Sequence, residues 1–151
     1  LDATYDDFRD GPCTAIQLDI DAFCGSDLGT TSNDLSGEPT TYASDYSAAL
    51  FADYIYPFSN SVDLFLGADV NYRDEFFSSG DNDPLDLVDA YTKVNMRVGA
   101  RGEQWEIMFY GRNIFDEANL AQGFDTPVLD GSHIYFMEEG EIWGGRLKYS
   151  F

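Results

Sequence analysis

Few residues in this chain could do chemistry. Its one histidine, His133, follows Ser132, and Asp81, Asp83 and Asp86 fall within a single acidic run. A serine hydrolase needs an imidazole base that reaches an activated hydroxyl. Adjacency of Ser132 and His133 does not supply that geometry, and no Gly-x-Ser-x-Gly turn occurs. There is also no phosphate-cradling loop and no dinucleotide fingerprint. The acidic run offers hard oxygen ligands of the kind calcium takes, but its spacing departs from an EF-hand loop and Pro84 interrupts it. Cys13 and Cys24 match no zinc or redox motif; a disulfide, two thiols, or a metal with further ligands stay open. The expectation is a chain with no catalytic residues, no cofactor and no metal site. His133 and the aspartates then read as solvated loop residues.

The elements that would position these residues follow from charge and pattern. The chain has 151 residues, 8 Lys and Arg against 28 Asp and Glu, and a formal net charge of −20. Such a charge excludes a nucleic-acid binder working through basic patches, because phosphates would be repelled. It does not imply disorder: aromatics make up 16%, far from the composition of acidic disordered chains. Ten of the acidic residues lie in residues 1–45 and four more at Asp81, Asp83, Asp86 and Asp89. Both stretches are rich in Gly, Ser, Thr, Asn and Pro and read as long loops with a solvated surface. No run of about 18 apolar residues exists, so no membrane helix is expected. The chain begins at Leu1 without Met or signal peptide, which points to processing or to a piece of something longer.

Elsewhere the pattern has period two. From Tyr46 to Phe58, Tyr46, Ala48, Leu50, Ala52, Tyr54, Tyr56 and Phe58 alternate with Ser47, Ala49, Phe51, Asp53, Ile55 and Pro57. Val62 to Tyr72, Thr92 to Ala100, Trp105 to Phe109 and Trp143 to Phe151 alternate in the same way. This is strand alternation, since successive side chains point to opposite faces of a sheet. A sixth, truncated strand fits Leu1–Phe8. With phases chosen from apolar residues alone, all seven strand-borne cations fall on the polar face: Arg73, Lys93, Arg97, Arg101, Arg112, Arg146 and Lys148. Asp53, Asp63, Asp69 and Glu106 join them, so neighbouring strands can pair charges across that face.

The strands run about 10–16 residues, where soluble strands usually run about 5–6. Turns at 59–61 and 102–104 are tight, whereas the connections at 9–45, 78–90 and 116–140 are long. Aromatics gather at both ends of the apolar faces: Tyr54, Tyr56, Phe58, Trp105, Tyr149 and Phe151 at the short-turn end, and Tyr72, Phe76 and Trp143 at the loop end. Long strands, alternating connection lengths and two aromatic girdles describe an antiparallel transmembrane β-barrel of the outer-membrane type. Its polar face would look into the lumen, with Arg73, Lys93, Arg97, Arg101, Tyr110, Arg112, Arg146 and Lys148 as lumen-facing candidates. The competing fold is a secreted β-sandwich binding sugar or calcium, whose inner faces would also alternate.

The segment WEIMFYGRNIFDE, Trp105 to Glu117, resembles the penultimate-strand motif of TonB-dependent outer-membrane receptors. The tail EIWGGRLKYSF resembles their last strand, and Trp143, Leu147, Tyr149 and Phe151 resemble the signal read by the barrel-assembly machinery. The segments GFDTPVLDGSHIYF and DATYDDFRDGPC resemble loops of one branch of these receptors. Where the family often has Pro-Arg before the last strand, this chain has Glu139-Gly140-Glu141-Ile142. The resemblance implies an all-β protein of the Gram-negative outer membrane, and about six C-terminal strands of a barrel of about 22 strands. It implies partners: membrane lipid, an N-terminal plug and further strands outside this chain, the TonB complex, and a nutrient such as a ferric siderophore. Nucleic acid is not among them, and a passive porin-like barrel is the alternative. Export to an oxidising compartment would also make Cys13 and Cys24 a disulfide.

Overall fold

The structure is a computed structural model, and it describes residues 3–17, 24, 32–126, 129 and 132–151. The protein is all-β and antiparallel. Its strands are β1 (Gly11–Pro12), β2 (Ser32–Asn33), β3 (Ser47–Ser59), β4 (Val62–Arg73), β5 (Phe76–Phe77), β6 (Leu87–Val88), β7 (Tyr91–Arg101), β8 (Trp105–Arg112), β9 (Leu120–Asp125), β10 (His133–Met137) and β11 (Ile142–Tyr149). The chain divides into two compact units: residues 47–73, 91–118 and 139–151, and residues 1–46, 74–90 and 119–138.

The first unit is a five-stranded meander in which β3, β4, β7, β8 and β11 pair in that order. Its register sorts the side chains into rows. One row on the apolar face runs Tyr54, Leu66, Val98, Phe109 and Gly145; the next runs Tyr56, Leu64, Ala100, Ile107 and Leu147. The opposite face carries the row Asp63, Arg101, Glu106 and Lys148, in which the sign of the charge alternates from strand to strand. All seven strand-borne cations share this face. Alternating the apolar residues therefore partitions the charges as well, because the two sets occupy opposite sides of one pleat. The apolar face is bare: Leu50 is 71% exposed, Phe109 63% and Leu147 73%. Among the described residues none of the sheets closes into a barrel, and the outer edges of β3 and β11 have no strand partner.

Three features differ from expectation. The proposed strand at 1–8 does not form: Leu1 and Asp2 lie outside the described residues, and Thr4 makes only an isolated bridge to Pro39. Three apolar positions alternating with acids supply little face to bury. The segment instead bonds back onto residues 35–40, with Tyr5 N–H donating to Glu38 O at 3.0 Å and Thr40 N–H to Ala3 O at 2.9 Å. The Tyr5 and Phe8 rings pack in a tilted arrangement with centroids 4.8 Å apart. Second, β8 and β11 have only eight residues each, shorter than the expected range. Third, the long connections are not plain loops. They contain the pairs β1–β2, β5–β6 and β9–β10, and together with residues 1–46 they form the second unit.

That second unit holds the small apolar core, namely Cys13, Ala15, Leu35, Phe76 and Val88. Cys13 and Cys24 form a disulfide with Cα atoms 5.7 Å apart. Just beyond Cys13 a helical turn starts at Ala15, and its first turn is capped reciprocally. Thr14 N–H donates to Gln17 Oε1 at 2.9 Å and Gln17 N–H to Thr14 Oγ1 at 3.2 Å, which satisfies two donors that a helix start leaves without partners.

Candidate functional site

On the polar face of the sheet, charge is paired. Arg97 bridges to Asp53 at 2.5 Å, Arg101 to Asp63 at 3.2 Å, Arg146 to Glu106 at 2.6 Å and Arg112 to Glu139 at 3.7 Å. Asp53 and Arg97 sit in one row on strands separated by β4, with Gly67 between them. A Cβ on Gly67 would stand 2.5 Å from Asp53 Oδ1 and 2.6 Å from Arg97 Nε, so the pair closes only over a bare glycine. The pairs are half exposed, so each contributes at most about 1 kcal/mol. Their effect is to hold long side chains in place over an open concavity lined by Asp53, Phe65, Arg97, Arg101, Met108 and Arg146.

At the loop-bearing end of the sheet, Asn113 occupies a left-handed conformation with φ 48° and is buried. Its amide Nδ2 donates to Glu117 O at 3.0 Å and Glu139 O at 3.2 Å, its Oδ1 accepts from Glu117 N–H at 3.0 Å, and its own N–H donates to Asn95 Oδ1 at 2.8 Å. The Gly-Arg-Asn run thus ties the end of β8 to the approach to β11 and to β7. Trp143, Leu147 and Tyr149 are exposed on the apolar face, and the Phe151 ring meets Tyr149 edge-on at 5.2 Å.

The second unit contains a site that the sequence pattern did not reveal. Asp81, Asp83 and Asp86 are not solvated: they are 5%, 0% and 0% exposed. Asp83 caps the 3-10 turn Pro84–Asp86, its Oδ1 accepting from Leu85 N–H at 2.8 Å and its Oδ2 from Ala15 N–H at 3.1 Å. Ser78 donates through N–H and Oγ to Asp86 O at 2.9 and 3.0 Å, and its Oγ accepts from Gly123 N–H at 3.1 Å, which links this turn to β9. A side chain at 123 would run into Asp86 Oδ1. In the β9–β10 hairpin, His133 lies directly opposite Asp125. His133 Nε2 meets Asp86 Oδ1 at 2.6 Å, and its Nδ1 stands 3.0 Å from Asp125 Oδ1.

Burial drives the titration of this group. Desolvation raises the pKa of Asp86 above the ordinary carboxylate value, opposed by its hydrogen bond to and the charge of His133 and reinforced by Asp81 and Asp83. Asp125 shifts up for the same first reason, with the charge of Asp81 adding to it. Desolvation alone would lower His133, but the hydrogen bond to Asp86 and then the charges of Asp86, Asp125 and Asp83 outweigh it, so its pKa rises. Tyr135, whose ring is 5.0 Å from that of His133, is raised by burial and by Asp86 and Asp83.

Comparison with protein-family profiles, curated proteins and solved structures returned no match. The reading of function therefore rests on the chain's own residues.

Proposed function

We propose that this chain is the C-terminal part of the wall of a transmembrane β-barrel in a Gram-negative outer membrane, belonging to a TonB-dependent receptor that imports a scarce nutrient, by default a ferric siderophore. The observation that carries this reading is the two-faced meander. Five strands in continuous register present bare apolar rows on one side and charge-paired rows on the other. Lipid takes the apolar rows as solvent, and the aromatic residues toward their ends, Tyr54, Tyr56, Trp143 and Tyr149, meet the headgroups. The charged face, with Arg73, Lys93, Arg97, Arg101, Tyr110, Arg112, Arg146 and Lys148, faces the lumen, where paired charges fill a polar interior.

Open strand edges are untenable in hydrocarbon, so the edges of β3 and β11 pair with further strands of the same barrel. The lumen is closed by a plug, and energy reaches that plug through TonB. Trp143, Leu147, Tyr149 and Phe151 address the barrel-assembly machinery. The wall itself performs no covalent chemistry. The test is the coding sequence upstream of Leu1 together with uptake by cells. A plug domain, a TonB-contact segment and uptake abolished by collapse of the proton gradient are expected. An upstream region without a plug, or uptake indifferent to the gradient, makes the protein a passive barrel; a sharp monomer in buffer without detergent refutes the membrane reading.

A further inference from the structure

The buried cluster in the second unit has a feature that hydrogen bonding leaves unexplained. His133 Nδ1 and Asp125 Oδ1 face each other at 3.0 Å, yet neither atom has a hydrogen-bond partner among the described residues, and both are covered. The His133 side chain is 94% buried, being 6% exposed. Asp86 Oδ2, on a fully buried residue, likewise has no hydrogen-bond partner among the described residues. Leaving buried polar atoms without partners is costly, so three in one cluster call for a ligand.

The donor set says which. One carboxylate oxygen each from Asp83 and Asp125 and one imidazole nitrogen of His133 lie within 4.8 Å of one another. A zinc-type ion in a tetrahedral shell holds nitrogen at about 2.0–2.1 Å and oxygen at about 2.0–2.2 Å, which puts adjacent ligand atoms about 3.3–3.5 Å apart. The facing Nδ1 and Oδ1, at 3.0 Å, need to open by only a few tenths of an ångström to take the ion between them. Asp86 completes the arrangement from behind: its Oδ1 lies 2.6 Å from Nε2, and with the proton on Nε2 the Nδ1 lone pair is left free for an ion, as carboxylates commonly arrange for metal-bound histidines. Imidazole in the set favours a first-row transition ion over calcium. Three carboxylates around a neutral imidazole carry a charge of −3, which a divalent cation largely offsets.

We propose that Asp83, Asp125 and His133 bind one divalent first-row transition cation of the zinc class, that Asp86 is the positioning residue for His133, and that the ion pins the β9–β10 hairpin to the 3-10 turn at Pro84–Asp86. This site is independent of the barrel reading, and it is tested separately.

The test uses the full-length, untagged protein purified in detergent and stripped with a chelator, then titrated with zinc chloride and, in parallel, with calcium chloride. One equivalent of zinc is expected to bind and to raise the melting temperature of the second unit. Asp86→Asn should weaken zinc about 10–100-fold, and His133→Ala should abolish stoichiometric binding. Zinc X-ray absorption of the unmutated protein reports directly whether imidazole is in the shell, even where a variant fails to fold. Absence of stoichiometric zinc binding, a zinc shell without imidazole, affinity unchanged in both variants, or calcium bound as tightly as zinc would each overturn the proposal.

Discussion

Arginine on the apolar face of β4 probes the two-faced sheet most directly. Leu66 lies in the row between Tyr54 and Val98 and is 45% exposed. It sits four residues beyond Val62, the start of β4 at the short-turn end. At about 3.4 Å per residue and a tilt near 45°, that is roughly 10 Å below the turn end. In the proposed barrel Ala68, two residues on, would lie about 14 Å deep, so the two positions straddle the middle of an apolar band about 25 Å tall. A buried arginine costs about 2–4 kcal/mol at the midplane and about 0–1 at the interface. Leu66→Arg and Ala68→Arg should therefore each destabilise by about 2–4 kcal/mol. Asn71→Arg is the control. It lies on the charged face opposite Lys93, where cross-strand repulsion costs only about 0.2–1 kcal/mol. Urea unfolding of the full-length protein in phospholipid vesicles, followed by tryptophan fluorescence, reads all three. A loss for Asn71→Arg equal to those for Leu66→Arg and Ala68→Arg would refute the face assignment.

Other outcomes follow from single contacts. Asn113→Ala should lose about 2–4 kcal/mol, since three side-chain hydrogen bonds and a left-handed φ are involved. Asn113→Gly keeps the backbone freedom, so the difference between the two in denaturant titrations isolates the strain. Gly123→Ala should push Asp86 off the β9–β10 hairpin and destabilise the second unit by about 1–3 kcal/mol, visible as faster hydrogen exchange over 120–137. Removing the disulfide with Cys13→Ser and Cys24→Ser should cost about 3 kcal/mol for an 11-residue separation, read as increased proteolysis within residues 1–46 and no change in the sheet.

Much of the sheet was legible because it is written locally. A period of two along β3, β4, β7, β8 and β11 is a property of consecutive residues, and it sorted Asp53, Asp63 and the seven cations onto one side before any pairing was known. The alternation at Leu1–Phe8 was too short and too acidic to hold a strand, and nothing local distinguished it from a true one. The His–Asp cluster was illegible for the opposite reason. Asp83, Asp125 and His133 are separated by 42 and then 8 residues, a spacing that belongs to no local metal motif. The one available hint was a lone histidine in an acidic chain.

The sequence by itself determined which residues share a face, since pleating alone decides that. It also determined that the chain is β-structured and that its charge concentrates outside the strands. Tertiary structure decided which acids are wet and which are dry. Asp53 and Asp63 stay half exposed beside arginines, whereas Asp83 and Asp86 are driven into the interior of a folded connection and meet His133 there. Burial is a sum over neighbours distant in the chain, and no period or composition of one segment encodes it.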